Sequence, residues 1–324
     1  MKDQKFGIEI ELTGITRETG AKVIAATLPS NTLGDGATYR YVGGTYRTWA
    51  VTGTDGRVWK CMSDSSVTGY PDYCCEVVSP ICTWEDIETI QKIVRALRAA
   101  GARADGSCGI HVHVNAAPHT PKTLRTLVNL VAAKEDWLTQ ALQISADRRG
   151  CWCLPVDPDF LHHLNPPRPR TSEELAKLWY RYSGKYGERP DAERRWETYA
   201  HDHYDPSRYR LLNLHAVWQK GTVEFRAFNG TTHAGKIKAY IQLCLAISDK
   251  ALKSASASPK KTETDNPAYF FRCWLLQLKM IGPEFATARK HLTAHMPGNA
   301  AWRHGAPTNR RGGDEAPRQD DQDD

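Results

Sequence analysis

Three short stretches set acidic, imidazole or guanidinium side chains two residues apart: Glu9 and Glu11 in "FGIEIEL", His111 and His113 in "CGIHVHVN", Glu224 and Arg226 in "TVEFRAFN". In a β-strand that spacing puts both members of a pair on one face. The opposite faces are apolar: Phe6, Ile8, Ile10 and Leu12 in the first, Ile110, Val112 and Val114 in the second, Val223, Phe225 and Ala227 in the third. A fourth stretch, "LLNLHAV", sets Asn213 and His215 against Leu212 and Leu214 in the same way. Any antiparallel sheet with one wet face produces such alternation. A wet face does not explain the choice of Glu-x-Glu, His-x-His and Glu-x-Arg with no lysine among them.

If these strands share a sheet, their polar faces converge on one surface. Glutamates without cysteine thiolates favour a hard cation, Mg²⁺ or Mn²⁺, because carboxylate oxygens match such ions and thiolates match zinc. Metals and a guanidinium together position phosphate oxygens. The chain has neither G-x-x-x-x-G-K-[ST] nor G-x-G-x-x-G, so a nucleotide would have to bind through metals on the sheet.

The elements around these stretches are legible as patterns. Residues 1–80 alternate between short strand-like runs (Lys5–Leu12, Tyr39–Val51, Arg57–Met62, Cys74–Val78) and turn clusters such as "SNTLGDGA". "TWEDIETIQKIVRALRAAG" repeats Trp84, Ile87, Ile90, Val94 and Leu97 at helical spacing, with Thr83 placed to cap and Gly101 to stop. After the histidine strand, Thr120 caps a second helix that starts at Pro121 and carries Leu124, Leu127, Val128 and Val131 on one stripe. "RYRLLNLHAVWQKGTVEFRAFNG" reads as a hairpin turning around Gln219–Gly221, and helical patterns follow at about 233–251, 267–280 and 283–294.

The organisation expected is a domain over residues 1–295 with an insertion at about 147–209, Pro-rich and then Trp-, Tyr- and Arg-rich, holding one helix from Thr171. Residues 296–324 are polar, end in "DEAPRQDDQDD", and are expected to be disordered. Within 162–210 ten Lys and Arg face eight Asp and Glu, which gives a mixed solvated surface and not a nucleic-acid footprint. The net charge of +6 is mild and suits an anionic small substrate. No apolar run of about 18 residues occurs and the N-terminus is charged, so membrane spanning and export are not expected and the cytoplasm is the default. Nine cysteines, with Cys74-Cys75 and Cys151-Trp152-Cys153 lacking zinc spacing, are expected as reduced thiols.

Four stretches in order carry a resemblance: "FGIEIEL", "DSSVTGYPDYCCEVVSPI", "CGIHVHVN" and "YRLLNLH" with "GTVEFRAFNGT". Over about residues 5–252 the chain resembles the amidoligase family, in the carboxylate-amine ligase superfamily that includes glutamine synthetase and glutamate-cysteine ligase. The resemblance implies an α+β, glutamine-synthetase-like fold: a curved antiparallel sheet with helices on its apolar face, and a concave polar face holding ATP and two or more Mg²⁺ ions. It implies that a substrate carboxylate takes the γ-phosphoryl group of ATP and that an amine then displaces phosphate to form an amide.

Carried over by motif, Glu9, Glu11, Glu76 and Glu224 are implied metal ligands, together with His111, which would also hold nucleotide phosphates. His113 is a second contact, and Arg226 would stabilise charge on the transferred phosphoryl group. Asp64 falls where the family has an acidic residue that could hold or deprotonate the amine; a turn residue is the bland alternative. Asn213 is a candidate for substrate or phosphate contact and Arg210 for a second phosphate ligand. Two rival classes use the same residues: a metal-dependent hydrolase or phosphatase, and an inactive binding module. The acid and the amine are not specified, and residues 147–209 are expected to select them.

Overall fold

In a computed structural model, residues 1–304 are described. The chain begins with β1 (Phe6–Thr13), then α1 (Arg17–Thr27), β2 (Thr38–Gly43), β3 (Thr48–Thr52), β4 (Val58–Met62) and β5 (Cys74–Val78). Helix α2 (Asp86–Ala99) leads to β6 (Gly109–Asn115) and to α3 (Pro121–Ala132) and α4 (Glu135–Ala141). The insertion contributes α5 (Ala146–Cys151), α6 (Pro158–Leu164), α7 (Ser172–Tyr182) and α8 (Ala192–His201). Then come β7 (Leu212–Asn213), α9 (His215–Lys220), β8 (Thr222–Asn229), α10 (Ala234–Lys253), α11 (Pro267–Gln277) and α12 (Ala286–Thr293).

The eight strands form one sheet in the order β2-β3-β4-β5-β1-β6-β8-β7, every neighbouring pair antiparallel. β1 lies between β5 and β6, so Glu9 faces His111 across one ladder while Glu11 faces Glu76 across the other. Its alternate residues Phe6, Ile8, Ile10 and Leu12 are buried in one core with Ile24 of α1, Ile90 of α2, Leu127 of α3 and Ile241 of α10. Burying each such aliphatic side chain contributes roughly 1.5–3 kcal/mol, which pins the register: a slip of one residue would turn the carboxylates into the core.

Helix α3 is capped as its pattern requires: Thr120 accepts from Thr123 N–H and Pro121 opens the helix. Thr83 does not cap α2, which starts at Asp86 after Glu85 with no side-chain cap; the contact runs the other way, the Asp86 carboxylate accepting from Thr83 N–H and hydroxyl. No helix among the described residues is long and apolar enough to cross a membrane.

Three further local expectations are corrected. Residues 1–80 hold a helix as well as strands: Thr16 caps α1, whose buried stripe is Arg17, Gly20, Ala21, Ile24 and Ala25. Three of the five are small, and Gly20 has a reason to be: a Cβ there would come within 3.2 Å of the sulfurs of Cys61 and Cys75, so α1 packs closely on the sheet. The hairpin pairs as expected, Asn213 with Glu224, but its first strand stops there. His215–Lys220 is a helical turn closed by Gly221 at φ 69°, so His215 is on α9 and its Nδ1 sits 2.7 Å from the Tyr180 hydroxyl. The insertion holds four helices in place of one, and Phe160, Trp179 and Tyr180 join the main core.

The polar tail expected from 296 is described only to His304, and there Asn266 Nδ2 donates to the carbonyls of Trp302 and Arg303. Residues 305–324 lie outside the described part.

Candidate metal and phosphoryl-transfer site

β1 and β6 are in direct register, so the side chains of Glu9 and His111 meet: Glu9 Oε2 is 3.1 Å from His111 Nδ1. A register shift in the β6–β8 ladder pairs Val112 with Phe225 and Ile110 with Phe228, leaving Arg226 and Ala227 opposite His111. Such a bulge re-aims the side chains beside it. Arg226 Nη1 donates to Glu224 Oε1 at 2.5 Å, and that oxygen is 3.7 Å from both His111 Nδ1 and His113 Nε2. Glu9, His111 and Glu224 thereby offer three ligand atoms within 4.8 Å of one another.

A second group lies one ladder away. Glu11 and Glu76 face each other across β1 and β5, and Asp64 reaches them from the loop after β4. One ligand atom of each also falls within 4.8 Å of the others. Asp64 is held by Ser66, whose backbone N–H and hydroxyl both donate to its Oδ1. His111 links the groups, with Nε2 3.9 Å from Glu11 Oε1.

The electrostatics of the two groups differ. Burial and then the charge of Asp64 push Glu11 up to about 7. Burial, followed by the charges of Glu9, Asp64 and Glu11, raises Glu76 well above its ordinary value. Negative groups crowded out of water resist ionising together unless a cation joins them, and the three oxygen donors suit a hard divalent ion. In the first group burial acts against ionisation too but is outweighed: Glu224 is held low by Arg226 and the two imidazoles, and Glu9 by His113 and His111. Burial, then the Arg226 charge, lowers His111 to about 4, so near neutrality its ring is uncharged and able to ligate. His113 is raised, because Glu9 and Glu224 outweigh its desolvation. Its Nε2 lies 3.1 Å from Glu9 Oε1 yet makes no hydrogen bond, an ion pair without a well-aimed donor.

Of the residues singled out in the sequence, the structure brings together Glu9, Glu11, Asp64, Glu76, His111, His113, Glu224 and Arg226. Asn213 stands behind this site: its Nδ2 donates to Glu224 Oε2 at 2.6 Å and its Oδ1 accepts from His215 N–H, which commits the amide to fixing Glu224. Arg210 does not join the site. Its guanidinium donates to the carbonyls of Ser183, Pro155 and Gly184 and to Asp157, tying the insertion together.

A cavity of about 250 Å³ opens over both groups, with Glu9, Asp64, Glu76, His111 and Arg226 in its wall. Its remaining lining includes Tyr46, Lys60, His203, Tyr204, Arg208 and Lys220, none of which the motifs pointed to. Tyr46 from the β2–β3 turn and Tyr204 from the insertion share a 2.7 Å hydroxyl contact. Lys60 carried a usable signal, since it alternates with buried Trp59 and Cys61 on β4. A second cavity, about 490 Å³, shares Glu9, Val78 and Lys220 with the first.

No curated protein matches the chain. The family model described as "Putative amidoligase enzyme" matches residues 2–248, three-quarters of the sequence, so it takes in both ligand groups and the insertion, and the chain belongs to that family.

Proposed function

We propose that this amidoligase-family chain is an ATP-dependent carboxylate-amine ligase that works through an acyl phosphate on a glutamine-synthetase-like sheet. The observation that carries this reading is the pair of ligand groups, Glu9–His111–Glu224 and Glu11–Asp64–Glu76, joined at His111 beside the Arg226–Glu224 ion pair. Two divalent ions, Mg²⁺ or Mn²⁺, held by these groups would neutralise the phosphates of ATP and the developing charge of transfer.

The chain's own residues supply the rest. Arg226, fixed by Glu224, directs its remaining donors at the transferred phosphoryl group. Neutral His111 would ligate without adding charge. Asp64, fixed at Oδ1 by Ser66, would share its carboxylate between the second ion and the incoming amine, whose proton it would accept. The insertion segment with His203, Tyr204 and Arg208 closes over the cavity and keeps water from the acyl phosphate.

Phosphate release and product mass, measured with ATP and Mg²⁺ over a panel of acids and amines, test this reading. Release that requires ATP, acid and amine together supports it. Release without ATP, turnover without an amine, or activity that survives Glu224→Gln contradicts it, and the second outcome would point to a hydrolase.

A further inference from the structure

On the sheet's polar face, over the start of β6, lies a cation that no motif marked. Arg148 of α5 is 3% exposed, and its guanidinium enters the ladder region from the insertion side. Nη1 donates to the Cys108 carbonyl and Nη2 to the Arg226 carbonyl, each at 3.2 Å. The Cys108–Gly109 peptide is engaged at both ends: its carbonyl also accepts from Gly230 N–H at 2.9 Å, and its N–H donates to Glu11 Oε2 at 2.5 Å. One peptide unit thus lies between a guanidinium and a carboxylate, each polarising it in the sense that strengthens the other's hydrogen bond.

The arrangement is built for contact at this point. A Cβ at Gly109 would overlap the guanidinium, with Cζ at 2.7 Å, so only glycine lets Arg148 lie against the main chain. The helix that delivers Arg148 is itself anchored to the end of β8, where Asn229 Oδ1 accepts from Ser145 N–H and Ser145 Oγ accepts from Arg148 N–H. Nε of Arg148 is buried without a partner, a cost accepted where a guanidinium spans two carbonyls on different strands.

We propose that Arg148 is a positioning residue: through the Cys108–Gly109 peptide it orients Glu11, and through the Arg226 carbonyl it fixes the bulge that aims the Arg226 side chain. The proposal rests on the reading of Glu11 as a metal ligand only for its functional consequence. Arg148 touches no reacting atom. It couples the insertion to both ligand groups, so residues 147–209 act on the chemistry as well as roofing the cavity.

Cys108–Gly109 is the only Cys-Gly pair in the sequence, so carbonyl-¹³C cysteine with ¹⁵N-glycine gives one selectable amide signal. In the full chain that amide proton should stand downfield of the other glycines. It should move upfield in Arg148→Lys and in Glu11→Gln, in protein that still unfolds cooperatively. Mn²⁺ titrated into Arg148→Lys should show affinity at one site weakened about 10- to 100-fold, as for removal of a residue that orients a metal ligand. A folded Arg148→Lys with the Gly109 amide and Mn²⁺ affinity both unchanged overturns the proposal. If Arg148→Lys does not fold, Glu11→Gln decides: it must shift the Cys108 carbonyl carbon and the Arg148 guanidinium nitrogens, and their staying in place overturns it. Absence of Mn²⁺ binding in the wild type, with the amide shifts as expected, counts against the ligase reading and leaves the positioning role standing.

Discussion

Glu9 divides its carboxylate between two histidines of the neighbouring strand, with Oε2 3.1 Å from His111 Nδ1 and Oε1 3.1 Å from His113 Nε2. The two rings are driven apart electrically: His111, nearer Arg226, is neutral, and His113 is raised by Glu9 and Glu224. On the proposed reading, two histidines of one strand thereby differ in role: His111 would be a ligand and His113 a charge partner.

Replacing His111 by Ala should therefore weaken Mn²⁺ binding about 100-fold or more, while His113→Gln should alter it by less than about tenfold. Calorimetric titration of the two variants checks the order, and equal losses would contradict the division.

The Glu11–Asp64–Glu76 group sets a pH dependence. The folded-state pKa of Glu11 is raised to about 7 from 4.5, so without metal its protonated form contributes stability that is complete below about pH 4.5 and lost as pH rises to about 7. Glu11→Gln removes that loss. In EDTA the stability of the variant relative to wild type should grow by up to about 3 kcal/mol across this window, and with saturating Mg²⁺ the trend should reverse. Denaturant melts at several pH values measure it.

The Arg226–Glu224 pair is buried on both sides. Arg226→Met should cost about 3–5 kcal/mol by leaving a charge unpaired, and adding Glu224→Gln should recover part of it. Arg226→Lys should keep most of the stability yet lower ATP-dependent turnover by about 10³-fold, since one ammonium cannot span both partners.

Arg210 gives the contrasting case. Arg210→Met should destabilise the fold by about 3 kcal/mol through its lost carbonyl and Asp157 contacts. It should leave the KM for ATP and the Mn²⁺ affinity of the folded protein unchanged, which kinetics at reduced temperature would show.

How much was legible follows from what each element is made of. β1, β6 and β8 were readable because strict alternation of large apolar residues with Glu, His and Arg has one structural explanation. α1 hid because Gly20, Ala21 and Ala25 give a helical stripe with little hydrophobic contrast. α9 hid because a six-residue helix between strands still alternates over the first few positions. Glu76 and Asp64 came from the resemblance, and their meeting with Glu11 depends on a register between β1 and β5 that no local pattern states. Arg148, Tyr204 and Arg208 come from the insertion, where helical packing and loops carry no parity to read.

The most direct measurement follows oxygen. With the carboxylate of an active acid substrate labelled with ¹⁸O, ATP, Mg²⁺ and an amine, an acyl phosphate requires one ¹⁸O atom in each phosphate released, and the mass spectrum should show it. Phosphate released without the label would contradict carboxylate activation by this chain.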